Sequence, residues 1–200
     1  MCGSRLAARF ATVEPSESTK GVVMPTTTIE ERLAEIGRQI DGLEAKARAG
    51  GGEARSRIQR ELGALRQQEA SARAAAHEGP DAFEERFEQF EARLHVAQSS
   101  LAADLADNRK KFAEAVENEL HSWDTYFERL QAQTAMRAAS AREQSETAIS
   151  DLRRRRNILA EQLADARTAS GEAWDEQKQR IAAARDDLER KADEVSARFK

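Results

Sequence analysis

The sequence predicts an all-α protein: an elongated helical bundle or coiled coil, with one very long central helix folded against shorter helices. Three observations carry this. Aromatic residues make up 5% of the chain and charged residues 34%, while 38 of its 200 residues are alanine. Side chains that small bury little area each and suit closely packed helices rather than a thick globular core. Only three prolines interrupt the chain, so helices meet few obligatory stops. Finally, apolar residues recur at three- and four-residue spacings over long stretches, and almost no run of β-branched or aromatic residues reads as strand.

Residues 1–26 carry no such period. The string Val13-Glu14-Pro15-Ser16-Glu17-Ser18-Thr19-Lys20-Gly21 is polar and rich in breakers, and it reads as a disordered N-terminal tail. Arg5, Arg9 and Phe10 resemble an amphipathic targeting segment, which Glu14 and Glu17 oppose. Met24 is an alternative start, because Thr28 can cap a helix and Glu31 stands three residues on to complete a capping box.

Residues 27–77 read as a helical hairpin arm or broken helix, with the break at 50–52. Ile29, Leu33, Ile36, Ile40, Leu43 and Ala47 alternate steps of four and three, an a/d seam. Gly50-Gly51-Gly52 interrupts it, and Ile58, Leu62, Leu65, Ala72 and Ala76 resume it more thinly. Glu78-Gly79-Pro80-Asp81 then predicts a turn: glycine suits a C-cap, proline cannot continue a helix, and Asp81 can cap the next one.

The long central helix is expected over 81–169. Its stripe runs Phe83, Phe87, Phe90, Leu94, Ala97, Leu101, Leu105, Phe112, Val116, Leu120, Trp123, Phe127 and Leu130. Repeated four-residue steps within it drift toward a period of about 3.67. Unbroken, this helix would span about 130 Å at ~1.5 Å per residue, so it must have helical neighbours. The seam weakens over 134–150 and recovers at Ile149, Leu152, Leu159, Leu163 and Ala166 before Ser170-Gly171. A C-terminal amphipathic helix over 171–200 carries Trp174, Ile181, Ala184, Leu188, Val195 and Phe199 on one face.

The charge balance narrows the classes of partner. The net charge is −4, from 32 basic and 36 acidic groups, so no global field attracts nucleic acid, which is not expected as a partner. Locally the balance is uneven. Residues 81–130 hold 12 acidic and 6 basic groups, a net of −6, and residues 131–160 hold 3 acidic and 6 basic, a net of +3. This pattern favours an antiparallel pairing of the two stretches. The single cysteine, Cys2, cannot form an intramolecular disulfide, and no apolar stretch is long enough for a spanning helix or a secretory signal; a cytoplasmic protein is expected. Arginine outnumbers lysine 25 to 7, a bias common in proteins from GC-rich bacterial genomes.

No motif carries catalysis. Glu91 with His95 and Glu117 with His121 share helical faces, but metal sites in bundles draw ligands from several helices, so both read as solvated surface pairs and neither metal nor cofactor is expected. Arg153, Arg154, Arg155 and Arg156 form the one basic run, a possible patch for an anionic partner. On a helix four consecutive residues fan around the whole circumference, and Asp151, Glu161 and Asp165 are near enough to pair with them. Trp123-Asp124 and Trp174-Asp175 open similar segments, each followed by an arginine and an aliphatic residue, which raises a degenerate internal repeat.

The segments Phe112–Leu130 and Trp174–Lys191, the second reading Trp-Asp-Glu-Gln-Lys-Gln-Arg-Ile-Ala-Ala-Ala-Arg-Asp-Asp-Leu-Glu-Arg-Lys, resemble the amphipathic helices of apolipoprotein-like bacterial coiled-coil proteins. The resemblance rests on composition and period. It implies reversible surface binding by helices that otherwise pack on each other.

The expected function is therefore that of a non-enzymatic scaffold or interaction protein that self-associates, most simply as a homodimer, and binds a protein partner. Its interaction seam comprises Leu33, Ile36, Ile40, Leu43, Phe83, Phe87, Phe90, Leu94, Trp123, Phe127 and Leu130. The alternative is a peripheral protein whose Phe, Trp and Leu face opens onto a membrane or lipid surface.

Overall fold

The structure, a computed structural model, describes residues 28–48, 52–135 and 139–198. The expected tail over 1–26, with Cys2 and Met24, lies outside the described residues, as do Gly50, Gly51 and Phe199. Among the described residues the chain forms six α-helices: α1 (Ile29–Arg48), α2 (Gly52–Ala75), α3 (Pro80–Asp104), α4 (Arg109–Ala135), α5 (Ala139–Thr168) and α6 (Glu172–Arg198). The all-α expectation holds.

Local chemistry sets the ends of these helices. Thr28 and Glu31 form the capping box: the Thr28 N–H donates to Glu31 Oε2 at 2.8 Å and the Glu31 N–H to Thr28 Oγ1 at 3.2 Å. The turn after α2 closes where the Gly79 N–H reaches the Ala75 carbonyl at 3.2 Å. Gly79 sits at φ 140°, a conformation side chains disfavour, and Pro80 starts α3 without needing a donor.

The single central helix expected over 81–169 does not form. The chain turns back after Asp104, and α4 begins at Arg109. Asn108 caps the new helix by accepting the Lys111 N–H on Oδ1 at 3.0 Å, while Asp107 holds the Lys111 ammonium at 3.0 Å. Leu105, a stripe residue on paper, is exposed at the turn. The physical reason is burial: an extended rod would leave the Phe112–Leu130 stripe to find a partner elsewhere, whereas folding back covers it within the chain. A second boundary separates Ala135 from Ala139. The longest helix is α5, with 30 residues, about 45 Å at ~1.5 Å per residue.

Consecutive helices pack on each other along the chain, and cross-helix pairs make them antiparallel. Glu44 meets Arg66 between α1 and α2; Glu88 meets Arg129 and Gln89 meets Gln133 between α3 and α4; Asp124 meets Arg156 and Glu117 meets Arg167 between α4 and α5. The Asp124–Arg156 pair sets the basic stretch beside the acidic one inside a single chain. The last helix, α6, returns to α3, where Arg93 bonds Asp193 and Asp104 accepts from Arg185, and runs parallel to α2.

Two cores result, and α3 serves both. Its Phe83, Phe87, Phe90, Leu94, Ala97 and Leu101 pack with Ile36, Ile40 and Leu43 of α1 and Ile58, Leu62 and Leu65 of α2. Its other face, with Ala92, Val96 and Ala103, joins Trp123, Phe127 and Leu130 of α4, Leu152 and Leu159 of α5, and Ile181 and Leu188 of α6. A helix apolar on two sides is what a position between two layers requires.

Candidate functional site

The feature that sets this bundle apart is a layer of buried charge where α2, α3, α4 and α6 meet. Its centre is Arg185 on α6, 2% exposed. Nε of Arg185 donates to Glu119 Oε2 at 2.7 Å, Nη1 to Asp104 Oδ1 at 2.7 Å, and Nη2 to both the carbonyl and the hydroxyl oxygen of Ser100 at 2.8 Å. Asp104 also accepts from Arg57 Nη1 of α2 at 2.6 Å, and Arg57 Nε reaches Asp186 at 2.8 Å. One guanidinium thus ties together side chains of α3, α4 and α6, and Asp104 extends the network to α2. The planar fork of arginine makes this possible.

Arg93 of α3 forms the second half of the layer. Its Nη2 donates to Asp193 at 3.0 Å and lies 3.9 Å from Glu189 Oε1, while its guanidinium carbon stands 4.8 Å from the ring centre of Trp123 and 5.8 Å from that of Tyr126. Trp123 in turn stacks on Phe127 at 5.7 Å.

Glu61 of α2 and Glu189 of α6 complete the set, both buried. The fully buried groups Arg93 and Arg185, with the largely buried Arg57, face Glu61, Asp104, Glu119 and Glu189, so carboxyls outnumber guanidiniums. Burial pushes the Glu61 carboxyl up to about 7 against the pull of Arg93, and Glu119 adds to the rise. Burial and the neighbouring Glu61 push Glu189 up to about 8. Burial likewise raises Glu119, with Arg185 opposing. Burial would lower the Arg185 guanidinium, but Glu119 and Asp104 hold it above its usual range. The layer therefore balances its charge by keeping protons on carboxyls at neutral pH.

Sequence reasoning missed these residues because it assigned charge to solvent. A signal was present in the spacing. Ile181, Arg185, Leu188, Ala192 and Val195, all buried, form a regular heptad seam of α6 with an arginine in it, and the buried Glu189 adjoins it. On α3 a second seam runs Gln89, Arg93, Val96, Ser100, Ala103, and on α4 it runs Val116, Glu119, Trp123, Tyr126, Leu130, Gln133. Polar residues at seam positions fix register, since any slip leaves a buried charge without its partner.

The residues of the expected interaction seam are buried or half-buried within the chain. Ile36, Ile40, Leu43, Phe83, Phe87, Phe90 and Leu94 lie in the α1–α3 core, with the half-buried Leu33 packed against it. Trp123, Phe127 and Leu130 lie in the other core. The basic run is engaged on all four residues: Arg153 with Gln131, Arg154 with Asp151, Arg155 with Asp151 and Asp187, and Arg156 with Asp124. It links α5 to both α4 and α6. Glu91, His95, Glu117 and His121 are all exposed, and Glu117 pairs with Arg167 at 2.7 Å. Among the described residues no three His, Cys, Asp or Glu side chains converge as a metal needs.

The two tryptophans have unlike settings. Trp123 is buried in mid-helix, whereas Trp174 is half-buried in the first turn of α6, edge-on to Phe112 at 5.6 Å and beneath Arg109 at 4.5 Å. The similar segments therefore do not occupy equivalent places. Compared with known proteins, the chain matches no family model, no curated protein and no solved structure.

Proposed function

We propose that this chain is a non-enzymatic helical scaffold that self-associates by exchanging its α1–α2 hairpin. The observation that carries the reading is the position of α3, whose Phe83–Leu101 face holds the hairpin while its opposite face holds α4–α6. The same contacts can be made by the hairpin of a second chain, so a dimer retains the apolar seam without new surface. The polar layer supports a structural role, because it specifies one register at a cost in stability. A reducing, cytoplasmic setting suits a chain with one cysteine. Sedimentation equilibrium over a wide concentration range tests the proposal: a monomer–dimer equilibrium with unchanged helicity is expected, and a monomer at every concentration overturns self-association.

One observation favours a second reading, a peripheral lipid-surface protein. Ile158 is 45% exposed and lies with Arg154, Arg155 and Arg180 in a groove of about 520 Å³ between α5 and α6. An apolar side chain rimmed by guanidiniums suits an anionic headgroup layer, and the resemblance of Phe112–Leu130 and Trp174–Lys191 to apolipoprotein-like helices separately implies reversible surface binding. Among the described residues no helix is long and apolar enough to cross a membrane, so contact would be at the surface. Flotation with neutral and anionic vesicles, at low and physiological salt, separates the readings. Binding to anionic vesicles that weakens as salt rises, or salt-resistant binding to both vesicle types, promotes the lipid reading, and protein that stays at the bottom of every tube removes it.

A further inference from the structure

A groove of about 610 Å³ runs between α2 and α6, walled by Arg60 of α2 and by Asp186, Glu189, Arg190, Asp193 and Glu194 of α6. Most of its carboxylates are already engaged: Asp186 by Arg60 at 3.2 Å, Glu194 by Arg190 at 2.6 Å, and Asp193 by Arg93 at 3.0 Å. Glu189 differs. It is 5% exposed, its Oε1 accepts no hydrogen bond, and the nearest guanidinium nitrogen, at 3.9 Å, is beyond bonding reach. Glu61, also buried, faces it from α2 and likewise has a carboxyl oxygen, Oε2, that accepts none. Buried carboxyl oxygens are seldom left without a donor, and here two lie on facing helices beside an open groove.

We propose that this groove binds an aliphatic polyamine, with one ammonium group seated on Glu189. The wall is suited to that ligand in three ways. The methylene stems of Arg60 and Arg190 offer apolar surface to an alkyl chain. Asp186 and Asp193 flank Glu189 on α6, about 4.5 and 6 Å along the helix axis, so a second ammonium would share one of these carboxylates with Arg60 or Arg93. A compact divalent cation wants six or more oxygens, whereas Glu189 is, among the described residues, the one wall carboxyl with no guanidinium within hydrogen-bond reach. The site is independent of the scaffold reading.

The bound ammonium would replace a proton. In the free protein Glu189 is held protonated by burial and by Glu61, against Arg93 and Arg60, with Asp193 on its own helix adding to the rise. When the ammonium docks, the carboxyl ionises and its proton passes to solvent.

Calorimetric titration of spermidine into the full chain tests this, run near pH 7 and near pH 9 in buffers of different ionisation heat, with Glu189→Gln as the isosteric variant and magnesium as the control ion. The proposal requires saturable binding that releases a proton near pH 7, tightens toward pH 9 and is about tenfold or more weaker in E189Q. Equal binding by E189Q, no proton release, or displacement by magnesium at matched ionic strength would overturn it. Should E189Q not fold, as read by circular dichroism, the proton release and pH dependence of the unaltered chain decide the matter.

Discussion

Arg185 shows how much a single buried charge can organise. It bonds Glu119, Asp104 and Ser100 at once, so Arg185→Ala would leave Glu119 buried without its guanidinium and Asp104 with Arg57 alone. We expect a loss of about 3–5 kcal/mol in urea unfolding, the range for breaking a buried ion pair from one side. The pH dependence follows from Glu61 and Glu189. Folded, they hold protons up to about 7 and about 8, whereas their ordinary value is 4.5. Between those limits the folded chain binds more protons than the unfolded one, so stability falls as pH rises and levels off above about 8. The exposed Glu84 beside Arg32 and the half-buried Asp151 beside Arg154 are held below their usual range and act in the opposite sense. Their contribution is lost only in acid. Thermal melts should therefore peak near pH 5 and decline toward pH 8, with a shallower decline in E61Q. A melting temperature that climbs from pH 5 to pH 8 would show that the layer is not protonated.

The element that most constrains the molecule is α3. Its two seams interleave, Phe83-Phe87-Phe90-Leu94 on one side and Gln89-Arg93-Val96-Ser100 on the other, so it cannot rotate without exposing one core and misplacing the buried Arg93. Phe90 is fully buried between α1 and α2. Replacing it with alanine should cost about 3–5 kcal/mol and loosen the hairpin first, which hydrogen exchange would register as faster exchange in α1 and α2 than in α4–α6. Uniform acceleration over all the helices would mean that the two cores unfold as one. The break between α3 and α4 depends on weaker local chemistry. Asn108→Ala removes the cap on Lys111 and should cost about 1 kcal/mol in the same urea assay.

At the scale of the whole molecule, the six described helices, each antiparallel to the next and joined by short connections, leave the chain able to close on itself or to exchange. The segment between α2 and α3 decides which, since only residues 76–79 separate them. Deleting His77 and Glu78 should make the local turn too short and drive the hairpin onto a second chain. Light scattering would then report a dimer with unchanged helical content. A monomer with reduced helicity would mean that the hairpin cannot dock in trans.

Composition, the three-and-four period and local motifs determined the all-α class, the capping box at Thr28, the turn at Gly79-Pro80 and most of the apolar core, because each is a property of neighbours in the chain or of total burial. The partner of each stripe was decided elsewhere. Leu101 and Leu105 continue one period in sequence, yet the first is buried and the second exposed, because the turn at Asp107-Asn108 sends α4 back along α3. Heptad spacing marks Arg93, Glu119 and Arg185 as seam positions, but only tertiary structure shows that these, with Glu61 and Glu189, are interior groups. A charged residue on a helix is ordinarily solvated, and its burial depends on finding an opposite charge on another helix, about a hundred residues away in the case of Arg93 and Asp193.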